Sequence, residues 1–405
     1  MNIAIYHNLP SGGGKRALYE MIRRLVDRHA VDVFTLSTAD HDFCDLRPLV
    51  RQHQVFPFTP WGLLGSPFGR LNQGIYLGNV LRVRPVQQRM ATQIDAGNYD
   101  VVFAHHCRFA QAPAILQYLK TPAVYYCQEP PRHFYEPPHD RPYLRSTGWR
   151  KRVNDLDPLI ALHRTVAMAL DRRATLAART VLVNSAFSRE SIYRTYGRSA
   201  QVNYLGADLS NFKALNLPRE RFVLSVGALA PHKGYDFLLR ALAQIESEQR
   251  PLLVIVCNQL NPPEHAFLFV LAQQLGVRVD FRHKVDEAEL VRLYNTALFT
   301  VYAPVMEPFG FVPIESMACG TPVVGVREGG VRETIEHEHT GLLVDRDPTQ
   351  FAQAMKRLLQ DANIRDRYGR QGRESVAQRW RWDASVAQLE RMLEASCKWK
   401  IESQP

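Results

Sequence analysis

The stretch from Val301 to Ile335, VYAPVMEPFGFVPIESMACGTPVVGVREGGVRETI, constrains the fold of this chain more than any other. The apolar run Leu298–Ala303 leads into it and reads as a buried strand. A loop from Pro304 to Gly310 then carries Glu307. A short helix starts near Phe311, with Pro313 in its first turn, where a missing N–H costs nothing. Gly320 ends that helix and Pro322–Val326 is the next strand. Gly329-Gly330 leads into another helix with Glu333 near its start.

Strand, loop, helix, strand, Gly-Gly, helix is an α/β unit with two helix N-termini at the carboxyl ends of parallel strands. Unpaired backbone N–H groups and the helix dipole favour anions there, and ligand crevices of open α/β sheets lie at these strand ends. Glu307 and Glu315 stand in an E-x7-E pattern across the loop and the helix start. Carboxylates beside a phosphate cradle repel phosphates, so their partners are hydroxyls, and a carboxylate accepting from vicinal hydroxyls holds a ribose or hexose. Phosphate plus sugar points to a nucleotide sugar.

Glu307-Pro-Phe-Gly-Phe-Val-Pro-Ile-Glu315, followed by Ala318-Cys-Gly-Thr-Pro322 and Gly329-Gly330, resembles the signature of the GT4 glycosyltransferases, retaining enzymes with the GT-B fold. The resemblance implies two Rossmann-like domains facing a cleft, with a C-terminal helix crossing back to the first. On this chain the expected division is 1–215 for the acceptor, 216–381 for the nucleotide sugar and 382–405 for the returning helix, with a linker near 213–220. The implied reaction moves a hexose from a UDP- or GDP-sugar to a glycan, lipid-linked or polysaccharide acceptor. No protein nucleophile is expected. The departing phosphate oxygen helps to deprotonate the acceptor, so charge stabilisation of the leaving diphosphate is the largest catalytic effect.

The same resemblance assigns roles to residues. Glu315 is expected on the ribose, Glu307 on the transferred sugar, and Lys233 with the Gly310 and Phe311 amides on the diphosphate. Pro308, Phe309, Val312 and Gly227 complete the donor side, and Gly13 and Gly14 approach it from the first domain. His105, Gln128, Glu129 and Arg132 are expected on the acceptor side, with His106 beside Glu307 and Lys233 at the chemistry. Two positions depart from the family. Gln128 stands where relatives often have histidine, and Ala228 where an arginine usually follows the first glycine, so either Lys233 acts with a second cation such as Arg16 or Arg132, or the donor is held more loosely. Two other readings of the same architecture are a nucleotide-sugar epimerase and a nucleotide-sugar-binding protein without turnover.

The chain has 405 residues, enough for two domains, and six cysteines without C-x-x-C spacing, which favours reduced thiols over a disulfide frame or zinc. It enters a strand at Asn2, leaving no room for a signal peptide, and no apolar run approaches a membrane span. A cytoplasmic location is expected. Charge is uneven: residues 1–215 hold 27 Lys and Arg against 16 Asp and Glu, and the remainder is nearly neutral. Two readings of this basicity stand, a solvated Arg-rich surface or attraction to an anionic acceptor or the inner membrane face. No nucleic-acid motif accompanies it.

Along the first half, strands Asn2–Tyr6 and Val31–Leu36 flank a helix over Ala17–Arg28, a Rossmann-like opening. The intervening Gly12-Gly13-Gly14-Lys15 is no P-loop, because Arg16 stands where Ser or Thr is needed. Residues 55–90 are Pro-, Gly- and aromatic-rich and then basic, which reads as an irregular packed insertion or as a lid facing a membrane. Asp100–Ala104 and Ala123–Cys127 are strands ending at His105-His106 and at Gln128-Glu129. A helix is expected over Trp149–Ala178 and a strand over Val181–Ser185. In the second half, strands Phe222–Val226, Leu252–Cys257, Val277–Phe281 and Thr340–Val344 alternate with helices, and Phe281–Leu290 is expected over the base. Asp155-Leu-Asp157 and Asp345-Arg-Asp347 are D-x-D strings too short to assign a metal, so neither a metal nor a cofactor is expected.

Overall fold

The structure, a computed structural model, describes residues 1–65, 68–137, 139–144 and 157–402. Asp155 and the first part of the expected Trp149–Ala178 helix lie outside the described residues; the helix is seen from Pro158 to Ala177.

Two parallel sheets form the frame. The first contains β1 (Asn2–Asn8), β2 (Ala30–Leu36), β3 (Gln52–Phe56), β4 (Val101–Cys107), β5 (Ala123–Tyr126), β6 (Thr180–Val183) and β7 (Gln201–Val202), in the order β3-β2-β1-β4-β5-β6-β7. The second contains β8 (Phe222–Val226), β9 (Leu252–Cys257), β10 (Val279–His283), β11 (Thr300–Tyr302), β12 (Val323–Val326) and β13 (Gly341–Val344), in the order β10-β9-β8-β11-β12-β13. Strands such as β1 and β9 are buried almost end to end because helices cover both faces, which is why they read as continuous apolar runs. In each sheet the winding reverses beside the first strand, between β1 and β4 and between β8 and β11. A crevice opens at the carboxyl ends there. The two crevices face one another.

Some elements differ from the sequence reading. β4 does not stop at Ala104 but runs through His105 and His106 to Cys107. Within residues 55–90, Val55 and Phe56 end β3, the described residues from Pro57 to Leu71 are irregular or a short 3₁₀ turn, and Asn72–Ala96 is a continuous helix. Pro85 inside it disguises the helix, since proline removes one ladder bond. The helix survives because Val80, Val83, Gln87, Met90 and Ile94 form one buried stripe at helical spacing. Edge strand β3 escapes notice because its polar residues are half-exposed and carry no apolar alternation.

The last helix, Trp382–Glu402, lies on the first sheet. Leu389 and Leu393 are fully buried, Asp383 pairs with Arg24 at 3.0 Å, and Glu390 accepts from His29 at 3.0 Å and Arg28 at 2.7 Å. The three consecutive C-terminal helices begin at the second sheet and end at the first, so the chain crosses between the domains twice. Leu389→Ala removes a buried side chain from this second crossing and should cost about 3 kcal/mol. Urea unfolding checks this; an unchanged midpoint would show that the helix contributes nothing to holding the domains.

Candidate active site

The loop Pro304–Gly310 after β11 has no ladder of its own, and buried backbone carbonyls need partners. Each carbonyl from Ala303 to Pro308 finds one. Arg346 donates to Ala303 at 3.1 Å and to Pro304 at 2.7 Å, while Arg132 donates to Val305 at 2.8 Å and to Met306 at 2.7 Å. The Gly330 amide donates to the Glu307 carbonyl at 2.7 Å, and the Ser185 hydroxyl donates to Pro308. Arg132 and Ser185 come from the first domain; Arg346 and Gly330 belong to the second. The loop is thus held from both sides of the cleft.

Gly330 explains the Gly-Gly step. A Cβ there would lie 2.3 Å from the Pro308 carbonyl oxygen, and one on Gly329, at φ +55°, 2.4 Å from that of Glu307. The pair lets one backbone lie directly against another.

This bracing presents two carboxylates. Glu307 Oε2 accepts from Lys233 Nζ at 2.8 Å, Lys233 ending the short turn Pro231–Lys233 after β8. Burial alone would raise the Glu307 carboxyl; the Lys233 and Arg132 charges outweigh it and hold the group below the ordinary carboxylate range. Glu315, in the helix Phe311–Ala318, is nearly sealed from solvent, accepts from the Tyr294 hydroxyl at 3.1 Å and meets Arg16 of the first domain at 2.8 Å. Burial opposes the Arg16 charge, and Glu315 overcomes it. The Phe311–Ala318 helix opens in the chain between Glu307 and Glu315, with Gly310 before it and no side chain capping it, and the free amides of such a helix start suit a phosphate.

The other expected residues divide into two groups. Facing the cleft, Gly13 lies opposite Phe311, with a Cβ on it 3.5 Å from that ring, and Gly14 lies opposite Gln128, where a Cβ would be 3.0 Å from the amide nitrogen. Gly227, at φ +155°, adjoins Lys233, and Glu129 pairs with Arg132 at 2.5 Å. In the packing beneath, Phe309 is buried against Phe311 and Trp380, and Val312 is buried at the helix start. His105 has no exposed surface; its ring stacks on Tyr126 at 5.4 Å and neither nitrogen has a partner. Burial lowers His105 to about 3 and His106, which is half-buried, to about 4, so both are neutral near pH 7. Lys15 is buried under the glycine turn, where burial lowers it to about 8 against the pull of Cys44, Asp40 and Asp45. Of the two cations considered as helpers for Lys233, Arg132 shares the Glu307 loop and Arg16 sits on Glu315.

Sequence reading did not find Arg346, the middle residue of Asp345-Arg-Asp347, which pairs with Glu328 at 2.7 Å and braces the loop. It also did not find the role of Glu333, which accepts from the Ala186 and Phe187 amides at 2.9 Å and from the Tyr204 hydroxyl at 2.8 Å. Ser185 and Glu333 carried a signal, as polar residues at a strand end and a helix start. A further clasp carried none. Arg141 reaches from the first-domain chain to Glu264 at 3.0 Å and Asp236 at 2.9 Å, and the Tyr143 hydroxyl donates to Glu264 at 2.5 Å.

Gly330→Ala forces a Cβ onto the Pro308 carbonyl, so it should weaken nucleotide binding at least tenfold while leaving the far-UV circular dichroism spectrum unchanged; unaltered binding would mean that the loop tolerates the shift. The buried histidine makes stability depend on pH. His105 has its folded pKa below the unfolded value of about 6.5, so on acidification the unfolded chain takes up a proton that the folded one refuses. Stability then falls from about pH 6.5 downward. Thermal midpoints of His105→Phe, measured from pH 7 to pH 4.5, should fall less steeply than those of the wild type; parallel curves would refute the assignment.

Comparison with known proteins agrees with this geometry. Residues 12–208 match the family described as "Glycosyl transferase 4-like domain" and residues 208–375 the family "Glycosyl transferases group 1". The chain is 29% identical over 399 residues to the D-inositol 3-phosphate glycosyltransferase of Salinispora tropica, covering 94% of this chain and 80% of that protein. Identity to the enzyme of the same name from Thermobispora bispora is also 29%, over 94% and 89% of the two chains. Among solved structures, sucrose-phosphate synthase from Thermosynechococcus elongatus superposes with a TM-score of 0.70 at 20% identity, covering 97% of this chain and 98% of that one. Anabaena HepE in complex with UDP-glucose superposes with a TM-score of 0.65 at 22% identity, over 98% and 100%. With two adjoining family matches running from residue 12 to residue 375 over two facing parallel sheets, the chain belongs to the GT4-type glycosyltransferases of GT-B fold.

Proposed function

We propose that this glycosyltransferase moves a hexose, with retention, from a UDP- or GDP-sugar to a glycan or lipid-linked acceptor, without a resident metal or cofactor. The observation that carries the reading is the two ion pairs Lys233–Glu307 and Arg16–Glu315, whose carboxylates stand on either side of the Phe311 helix start in the chain. The UDP-glucose complex of HepE supports the donor class. Residues 216–381 take the donor and residues 1–215 the acceptor.

In this reading the diphosphate lies at the helix start, where the Gly310, Phe311 and Val312 amides and the Lys233 ammonium face it. Lys233 then exchanges part of its contact with Glu307 for the phosphate, which frees the carboxylate to accept from the sugar hydroxyls. Glu315 exchanges Arg16 in the same way for the ribose hydroxyls, and Arg16 becomes a second cation near the phosphates. This fills the place of the arginine that Ala228 lacks. As the sugar–phosphate bond breaks, negative charge grows on the leaving oxygen beside Lys233, and preorganised cations stabilise it most in a closed, water-poor site. His106 and Glu129, with Arg132, line the acceptor approach. His106, neutral at pH 7, accepts a hydrogen bond from a hydroxyl rather than adding charge.

Thermal shift against UDP, GDP, ADP and dTDP and their glucose and mannose conjugates tests the donor site. One nucleotide should raise the midpoint, and Glu315→Ala should abolish that rise. Lys233→Met should lower turnover at least a hundredfold with a much smaller loss of nucleotide affinity. Silence across the whole panel at millimolar ligand would sink the proposal.

A further inference from the structure

The first domain holds a large cavity that donor binding leaves without a role. Its volume is about 780 Å³, and it lies among the segment around Trp61, the Asn72–Ala96 helix and the Pro158–Ala177 helix. Such a size suits a bound organic group. Much of its wall is apolar, with Trp61, Tyr76, Val80, Phe109, Phe134 and Ile160. The wall is built, not loose. The Asn79 side chain accepts from the Trp61 amide at 2.7 Å and donates to its carbonyl at 3.2 Å, and a Cβ at Gly78 would stand 2.2 Å from the indole, so only glycine admits the ring there.

A second space of about 640 Å³ adjoins this cavity, for both are lined by His133, Phe134 and Arg164, and the second extends to Arg132 and His232. His232 is the neighbour of Lys233. A path therefore runs from His232, beside Lys233 in sequence, past Arg132 and Arg164 into an apolar chamber; Glu136, which also lines the second space, pairs with Arg132 at 3.5 Å. Arg108 and Arg164 on this path donate only to carbonyls, those of Thr38 and Phe134, each at 2.9 Å, and among the described residues no carboxylate pairs with either. Among the described residues the one carboxylate lining the larger cavity, Asp171, is committed to the Ala112 amide and the Tyr196 hydroxyl.

We propose that the acceptor is an anionic amphiphile, a sugar joined through phosphate or diphosphate to a prenyl-type chain. The chain fills the larger cavity, the phosphate meets Arg164 and Arg108, and the sugar hydroxyl lies toward Lys233 and Glu307. The hydroxyl's position rests on the transferase reading above. The apolar and cationic parts of the site stand on the cavity alone.

The test is calorimetric titration of the full-length protein with farnesyl diphosphate, farnesol and inorganic pyrophosphate. Farnesyl diphosphate should bind saturably and at least tenfold more tightly than either of the others. Arg164→Gln and Trp61→Ala should each weaken it at least tenfold, with the nucleotide thermal shift unchanged as proof of folding. Gly78→Ala, which expels the Trp61 ring, provides a second variant should Trp61→Ala not fold. Absence of saturable binding, farnesol or pyrophosphate binding as tightly, or variants that bind normally would each overturn the proposal. Binding of phosphatidylglycerol vesicles without a response to farnesyl diphosphate would place the lipid on the surface and overturn it too. A silent nucleotide panel beside intact farnesyl diphosphate binding would reject the donor reading and leave this one standing.

Discussion

The row of backbone carbonyls from Ala303 to Pro308 is the constraint on which the cleft depends. A buried carbonyl left without a donor costs about 1–3 kcal/mol, and a loop that turns its carbonyls away from any strand cannot satisfy them itself. Two arginines, one amide and one hydroxyl do so. Each arginine covers two successive oxygens with its planar fork, a task that a lysine's single ammonium performs poorly. Met306, at φ +46°, shows how sharply the backbone bends to make this possible. The loop braced by these partners carries the Glu307 carboxylate to Lys233.

Half of those partners lie in the other domain. When the domains separate, the carbonyls of Val305, Met306 and Pro308 exchange Arg132 and Ser185 for water. Burial of the ion pairs across the cleft is similarly conditional, since a pair such as Arg141 with Glu264 is strongly unfavourable to break while it stays dry and much less so once hydrated. The cleft is therefore cohesive when shut and not prohibitively costly to open, a balance that a substrate-closing enzyme needs.

Much of this was legible in the sequence. The E-x7-E string and the glycine pair identified the loop, the helix start and both carboxylates, because those features are local in the chain. Strands β8 and β9 were placed to the residue, because buried parallel strands read as unbroken apolar runs. What escaped was non-local. Nothing near Arg346 in sequence says that its guanidinium serves carbonyls more than forty positions earlier, and nothing near Arg141 points to Glu264. The Asn72–Ala96 helix was hidden for a different reason: its buried stripe was present, but Pro85 and the glycines of its first turns spoke against it.

The clasp of Arg141 and Tyr143 on Glu264 has a consequence for motion. Residues 139–144 belong by sequence to the first domain but are fastened to the second, while the preceding turn at Arg132 spans both. This short segment therefore works as a tether with its far end on the moving body. Movement of one domain away from the other must either break this clasp or carry these residues, among them His139 on the wall of the second space, along with it.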